Sequence, residues 1–228
     1  MENNRKTALI LGATGLVGNE LVKILIQQQN YEKIHLLVRR PIARHDPSCE
    51  VHVVDFEKLD TYIELFQVTD VFCCLGTTIK KAKSKEAFRK VDYEYPVEAA
   101  KIAKRSEVEK FLIITAMGSN AKSSIFYNRV KGEVEESLDN LSLPSVHIFR
   151  PSLLLGDRKE FRFGEKIAAK TSAIINVLMV GPLRPYKAIE AKNVAMAMAV
   201  VGKFGKSGMN IYPSHKIEQI AKEKNIII

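Results

Sequence analysis

Two groups of residues in this chain have types and spacings that can do chemistry. The first is Gly12-Ala13-Thr14-Gly15-Leu16-Val17-Gly18, which follows the apolar run Ala8 to Leu11 and leads into a helical pattern. A tight turn off a strand needs a residue free of Cβ constraints at Gly12. Close passage of a pyrophosphate along the backbone needs one at Gly15, and close packing of helix on strand needs one at Gly18. The helix N-terminus beyond then aims unpaired N–H groups and a positive dipole end at the phosphates. With 12 glycines in the chain, this spacing arises by accident only about 0.03 times. The bland reading, a merely tight strand-to-helix turn, is the weaker one.

The second group is Tyr127 and Lys131, which share a helix face at i and i+4. A neighbouring ammonium stabilises phenolate, so such a tyrosine becomes a usable general acid or base. Spacing alone is poor support, because about 0.7 such pairs are expected by chance and Tyr212 with Lys216 is a second instance. Location singles out Tyr127: its helix follows a strand, KFLIIT, that ends in Thr115, and all three side chains can face one cleft. Thr115 is the expected hydroxyl partner. Ser119 lies in the following loop, and Ser123 and Ser124 sit near the helix start, where capping explains them.

The elements that must position these residues follow from period. Short continuous apolar runs (TALIL, KIHLLV, VHVVD, DVFCCLG, KFLIIT, SVHIF) alternate with amphipathic stretches near Leu16 to Gln28, Lys85 to Lys104 and Ser123 to Asn140. Continuous rather than alternating apolar runs are what strands buried on both faces require. The expected fold is therefore α/β, a Rossmann-like doubly wound parallel sheet. After Arg150 the beat changes, with a loop bearing Arg158 and Arg162, an apolar helix near Ile167 to Met179 and a Pro-rich turn at Gly181 to Pro185. Helices near Asn193 to Val201 and Ser214 to Lys224 complete the chain. With no low-complexity linker and no internal repeat, residues 1–228 read as one domain in which 151–228 forms a small cap integral to the sheet's carboxyl edge.

Other strand ends supply further cofactor contacts. In a protein that prefers NAD, an acidic residue some 20 residues past the glycine loop binds the ribose hydroxyls; here the strand ends in Val38, Arg39 and Arg40. Guanidinium groups form charge-assisted bonds to a 2′-phosphate, so NADP(H) is expected, with Arg44 assisting. Asp55 can accept from the adenine amino group or, equally well, cap the next helix. Leu75, Gly76 and Thr77 can run past the adenosine.

Composition narrows the class. The 228 residues, 46% hydrophobic and 27% charged, read as a globular chain. The net charge of +9 suggests an anionic ligand, but no interleaved aromatics or recognition helix support nucleic-acid binding. No stretch approaches the roughly 20 apolar residues of a membrane span. The three cysteines, Cys49, Cys73 and Cys74, have neither disulfide nor zinc spacing, so no metal site is indicated and a reducing, cytoplasmic setting is expected.

GATGLVG, the strand-end arginine pair, CCLGTT, TAMGS, YNRVKGEVE and FRPSLLLGDR together resemble the atypical short-chain dehydrogenases/reductases, most closely the Tat-interacting-protein family of NADPH-binding oxidoreductases. The resemblance spans nearly the whole chain. It implies NADP(H) on Gly12, Thr14, Gly15, Leu16, Val17, Gly18, Arg39 and Arg40, with Leu75, Gly76 and Thr77 beside the adenosine. It also implies Tyr127 as acid/base, Lys131 on the nicotinamide ribose, and Pro151 with Ser152 to Leu154 flanking the nicotinamide. The family commonly shows serine where this chain has Thr115. Three functions are compatible: a carbonyl reductase acting on a small molecule, a non-catalytic NADP(H) sensor that signals to a protein partner, and a sugar-nucleotide epimerase.

Overall fold

The computed structural model describes residues 6–43, 46–156 and 187–223. The expected helix at Ile167 to Met179, the turn at Gly181 to Pro185, and Arg44, Arg158 and Arg162 lie outside the described residues. The strands are β1 (Thr7–Leu11), β2 (Lys33–Val38), β3 (Cys49–Val53), β4 (Asp70–Cys73), β5 (Lys110–Ile114), β6 (Ser145–Arg150), β7 (Leu154–Leu155), β8 (Ile189–Glu190) and β9 (Gly208–Pro213). The helices are α1 (Leu16–Gln28), α2 (Ile79–Ala82), α3 (Lys85–Arg89), α4 (Tyr95–Arg105), α5 (Phe126–Leu141), α6 (Ala191–Phe204) and α7 (Ser214–Glu223). Turns of 3-10 helix span Phe56–Phe66, and one π turn, Lys90–Glu94, joins α3 to α4.

Seven strands form one parallel sheet in the order β3-β2-β1-β4-β5-β6-β9, and β7 pairs with β8 in a separate two-stranded sheet. The chain begins at the middle of the sheet, winds outward through β2 and β3, and returns to β4 on the other side of β1. That reversal makes the crevice at the carboxyl ends of β1 and β4 the natural ligand site of the fold.

The continuous apolar runs are explained by burial on both sides. Ala8 and Ile10 of β1 face a layer built from α1, α6 and α7, whereas Leu9 and Leu11 face α4, α5 and the 3-10 turns. Alternate residues of one strand thus supply two separate cores. Leu21 and Leu25 of α1 are fully buried, and truncating either to alanine is worth about 2–5 kcal/mol. From the C-terminal part, β9 joins the sheet beside β6 and α6 packs on α1.

Candidate active site

The glycine loop closes as its spacing requires. Gly12 has φ +82°, a left-handed conformation, and a Cβ there would stand 2.6 Å from the Cys74 carbonyl oxygen. At Gly18 a Cβ would stand 2.2 Å from the Gly12 carbonyl oxygen, so the first turn of α1 lies directly on the turn out of β1. Gly15 N–H donates to the Gly12 carbonyl at 2.9 Å. Gly15 is the N-cap of α1 and has no side chain with which to cap it, so the free N–H groups of the helix face the cleft.

That cleft has a volume of about 810 Å³ and is lined by Thr14, Gly15, Leu16 and Val17 on one side and Leu75, Gly76 and Thr77 on the other. Its far wall carries Thr115, Tyr127 and Lys131. Residues from Leu154 to Gly156 and from Glu190 to Lys192 border it as well. The size falls in the range of small-molecule and cofactor sites, and the close packing at Gly12 and Gly18 sets Thr14, Gly15 and the N-terminus of α1 against the cleft as the cradle a dinucleotide pyrophosphate requires. The residues present therefore fit a nicotinamide dinucleotide.

Lys131 is the buried cation of the cleft, at 4% exposure, and its Nζ lies 2.8 Å from Oδ1 of Asp92, at 1% exposure. Burial works to lower the lysine pKa, but attraction to Asp92 and then to Tyr127 outweighs it and holds Lys131 above the ordinary lysine value. The other Asp92 oxygen accepts from the Thr77 N–H at 2.8 Å. Asp92 thus ties the loop after β4 to the lysine of α5, from within the π turn, a helical irregularity frequent at functional sites. Sequence reading missed Asp92, since VDYEYP has no pattern that marks its aspartate as inward-facing.

Thr115 lines the cleft, yet its hydroxyl donates to Glu135 Oε1 at 2.7 Å. Glu135 is itself held by Arg150, whose Nε stands 3.0 and 3.1 Å from the two carboxylate oxygens. In this arrangement the Thr115 hydrogen is donated to a carboxylate rather than into the cleft that its side chain lines. Ser119 is no substitute, because its hydroxyl donates to the Ala116 carbonyl at 2.7 Å.

The remaining expected contacts divide. Gly12, Ala13 and Gly18 underlie the loop without lining the cleft. Arg39 and Arg40 are exposed at the carboxyl end of β2, beyond the cleft wall. Asp55 takes the capping alternative: β3 ends at Val53, and Asp55 caps the 3-10 turns by accepting from Glu57 N–H at 3.0 Å. Pro151 is buried and its carbonyl accepts from Met117 N–H at 2.9 Å, which fastens the loop after β5 to the end of β6.

Comparison with known proteins decides the family. The HIM1 family model matches residues 48–181, and rat protein HTATIP2 is 40% identical over 169 residues, covering 72% of this chain and 69% of the relative. The chain belongs to the HIM1 family. The resemblance to Tat-interacting proteins drawn from the motifs is thereby borne out. Another relative, the protein FMP52, mitochondrial, of Debaryomyces hansenii, is 35% identical over 156 residues, or 68% of this chain and 69% of that one.

Among solved structures, gox2253 is similar with TM-score 0.70 at 21% identity, covering 96% of this chain and 76% of that one. MoeE5 in complex with UDP-glucose and NAD is similar with TM-score 0.68 at 12% identity, covering 96% and 81%. These likenesses establish a Rossmann-like fold for this HIM1-family chain. The expected cytoplasmic setting is contradicted by the fungal FMP52 relatives, which are named as mitochondrial proteins. No described helix is long and apolar enough to cross a membrane.

Proposed function

We propose that the chain is an NADP(H)-dependent oxidoreductase that reduces a carbonyl group of a small molecule. The observation that carries this reading is that Tyr127 and the buried Lys131 line the same cleft as the glycine loop. Bound NADPH supplies a hydride to the carbonyl carbon. Tyr127 gives the proton that the carbonyl oxygen takes up as it becomes an alcohol, and Lys131, with its charge secured by Asp92, offsets the negative charge left on the phenolate. Arg39 and Arg40 hold the 2′-phosphate by charge-assisted bonds and so select NADP(H) over NAD(H). Residues 1–228 act as one domain, a reading supported by β9 and α6 being built into the same sheet and core as β1.

A second reading, a binding module that passes cofactor occupancy to a protein partner without turnover, is favoured by the commitment of the Thr115 and Ser119 hydroxyls. Without a hydroxyl to polarise the carbonyl, chemistry rests on Tyr127 alone. The experiment that separates the two is NADPH titration and turnover of the wild-type chain and Tyr127→Phe. The chain has no tryptophan, so bound-NADPH fluorescence is read without interference. As an oxidoreductase, the wild-type chain oxidises NADPH with a carbonyl panel, and Tyr127→Phe binds NADPH equally well while losing about 100-fold or more in kcat. NADPH binding without turnover on any carbonyl would select the sensor. Full activity of Tyr127→Phe would remove Tyr127 from the mechanism.

A further inference from the structure

Away from the cleft, the edge strand β3 and its neighbour β2 bring together three side chains of ligand type. His35 of β2 stands opposite Glu50 of β3 in the parallel ladder, and His52 follows Glu50 by two residues. The period of two along a strand therefore sends all three to one sheet face. His35 Nδ1 and His52 Nε2 are 2.9 Å apart. Glu50 Oε2 lies 3.4 Å from the first nitrogen and 3.9 Å from the second.

Those separations match a metal site. Zinc bonds to nitrogen and oxygen of about 2.0–2.1 Å place tetrahedral ligand atoms about 3.4 Å from one another, and the three distances centre on that value. The circle through the three atoms has a radius of about 2.0 Å, so one ion can reach all three without moving any of them. Lys33 pairs with the other Glu50 oxygen, Oε1. It thereby orients the carboxylate and leaves Oε2 turned to the histidines, as outer partners do around metal-bound carboxylates. Two imidazoles with one carboxylate suit a zinc-class ion better than magnesium or calcium, which prefer all-oxygen sets.

We propose that His35, Glu50 and His52 bind a divalent transition ion of the zinc class. The ion clips β3, an edge strand of the sheet, to β2 and keeps a fourth position for water. None of the three residues lines the cleft, so the site is separate from the cofactor and substrate chemistry. Without an ion, the pair of rings is a plain histidine–histidine hydrogen bond, and the experiment must tell these apart.

The full chain, stripped by a chelator, is titrated with zinc chloride against a chromophoric competitor and separately with cobalt(II). One zinc per chain is expected with a micromolar or lower Kd, weakened by about 100-fold or more in His35→Gln and in Glu50→Gln. Glu50 is half-exposed, so its isosteric variant should fold even if the histidine variant does not. Cobalt should give visible bands of nitrogen and oxygen coordination with no thiolate charge transfer, which excludes the cysteines. At zinc about 100-fold above Kd, Tm should rise by about 5–10 °C. Zinc binding weaker than about 100 μM, binding equal in the wild-type chain and Glu50→Gln, or a thiolate band with cobalt would each overturn the proposal.

Discussion

Replacing Asp92 with Asn removes the charge that compensates Lys131 while leaving the side chain's shape almost intact. At 2.8 Å between Nζ and Oδ1, and with an effective dielectric of about 20, the gross attraction is about 6 kcal/mol. Asparagine keeps an oxygen for the Thr77 N–H and a dipole for the ammonium. The expected net loss is therefore about 3–5 kcal/mol, the range for breaking a buried pair from one side. The pH dependence separates a charge effect from a packing effect. Lys131 in the folded protein titrates above the ordinary lysine value, so its contribution is fully present below about pH 10.5 and is lost as pH rises through the folded value. In Asp92→Asn, burial is opposed mainly by Tyr127 and the folded pKa drops below that of the unfolded chain. Stability of the variant should then rise with pH towards 10, where the wild-type protein gains nothing. Urea unfolding at pH 7, 8, 9 and 10 measures this as a shift in midpoint at constant m. A variant within about 0.5 kcal/mol of the wild-type protein at pH 7, with the same pH slope, would refute the claim that Asp92 holds the lysine charge.

Arg39→Ala with Arg40→Ala should weaken NADPH binding by about 10–100-fold, the loss of about 1.5–3 kcal/mol of charge-assisted bonding, while NADH affinity stays within about threefold; isothermal titration with both nucleotides checks it. Gly18→Ala places a methyl 2.2 Å from the Gly12 carbonyl oxygen and should cost about 1–3 kcal/mol and abolish NADPH fluorescence enhancement, read by urea unfolding and titration. His147 is buried between Ser145 Oγ at 2.9 Å and the Tyr212 hydroxyl at 3.0 Å, and burial pushes its pKa down to about 4. A depressed folded pKa means that its contribution is present above the unfolded value near 6.5 and disappears as pH falls towards 4, so about 2–3 kcal/mol of stability should be lost across that interval. Thermal unfolding from pH 7 to 4 should show a shallower fall in His147→Gln.

The sheet was legible because its cause is local. Each apolar run contains within five or six residues the alternation that feeds two cores, so TALIL and KFLII declare themselves wherever their neighbours lie. The glycine loop is legible largely for the same reason: Gly18 meets the Gly12 carbonyl six residues earlier, whereas the contact that excludes a side chain at Gly12 itself comes from Cys74 of the neighbouring strand end. Asp55 marks the limit of local reading. A carboxylate after a strand can cap or can bind a ligand, and the choice fell to capping because β3 stops at Val53, two residues short of the expected end.

The polar groups that complete the site are of a different kind, because each owes its state to a segment far away in the chain. Asp92 is buried by α5 and by the loop after β4, and Glu135 is buried between Thr115 and Arg150. An acidic residue on a helix otherwise reads as a solvated face, and nothing within four residues of either says that a cation approaches from the other side. His35 and His52 are separated by a loop, and only the register of β2 on β3 sets their nitrogens 2.9 Å apart. The signal in each case is a pairing of charges across elements whose adjacency follows from the strand order β3-β2-β1-β4-β5-β6. Once that order is known, Asp92 is the carboxylate that the topology delivers to Lys131, and Glu135 the one it delivers to Arg150. These two ion pairs, the first buried and the second partly so, brace the cleft wall at successive turns of α5: Lys131 is fastened through Asp92 to the loop after β4, and Glu135 fastens Thr115 to the end of β6. Tyr127, one turn before Lys131, lines the cleft with a hydroxyl that neither brace employs, as the acid/base role proposed for it requires.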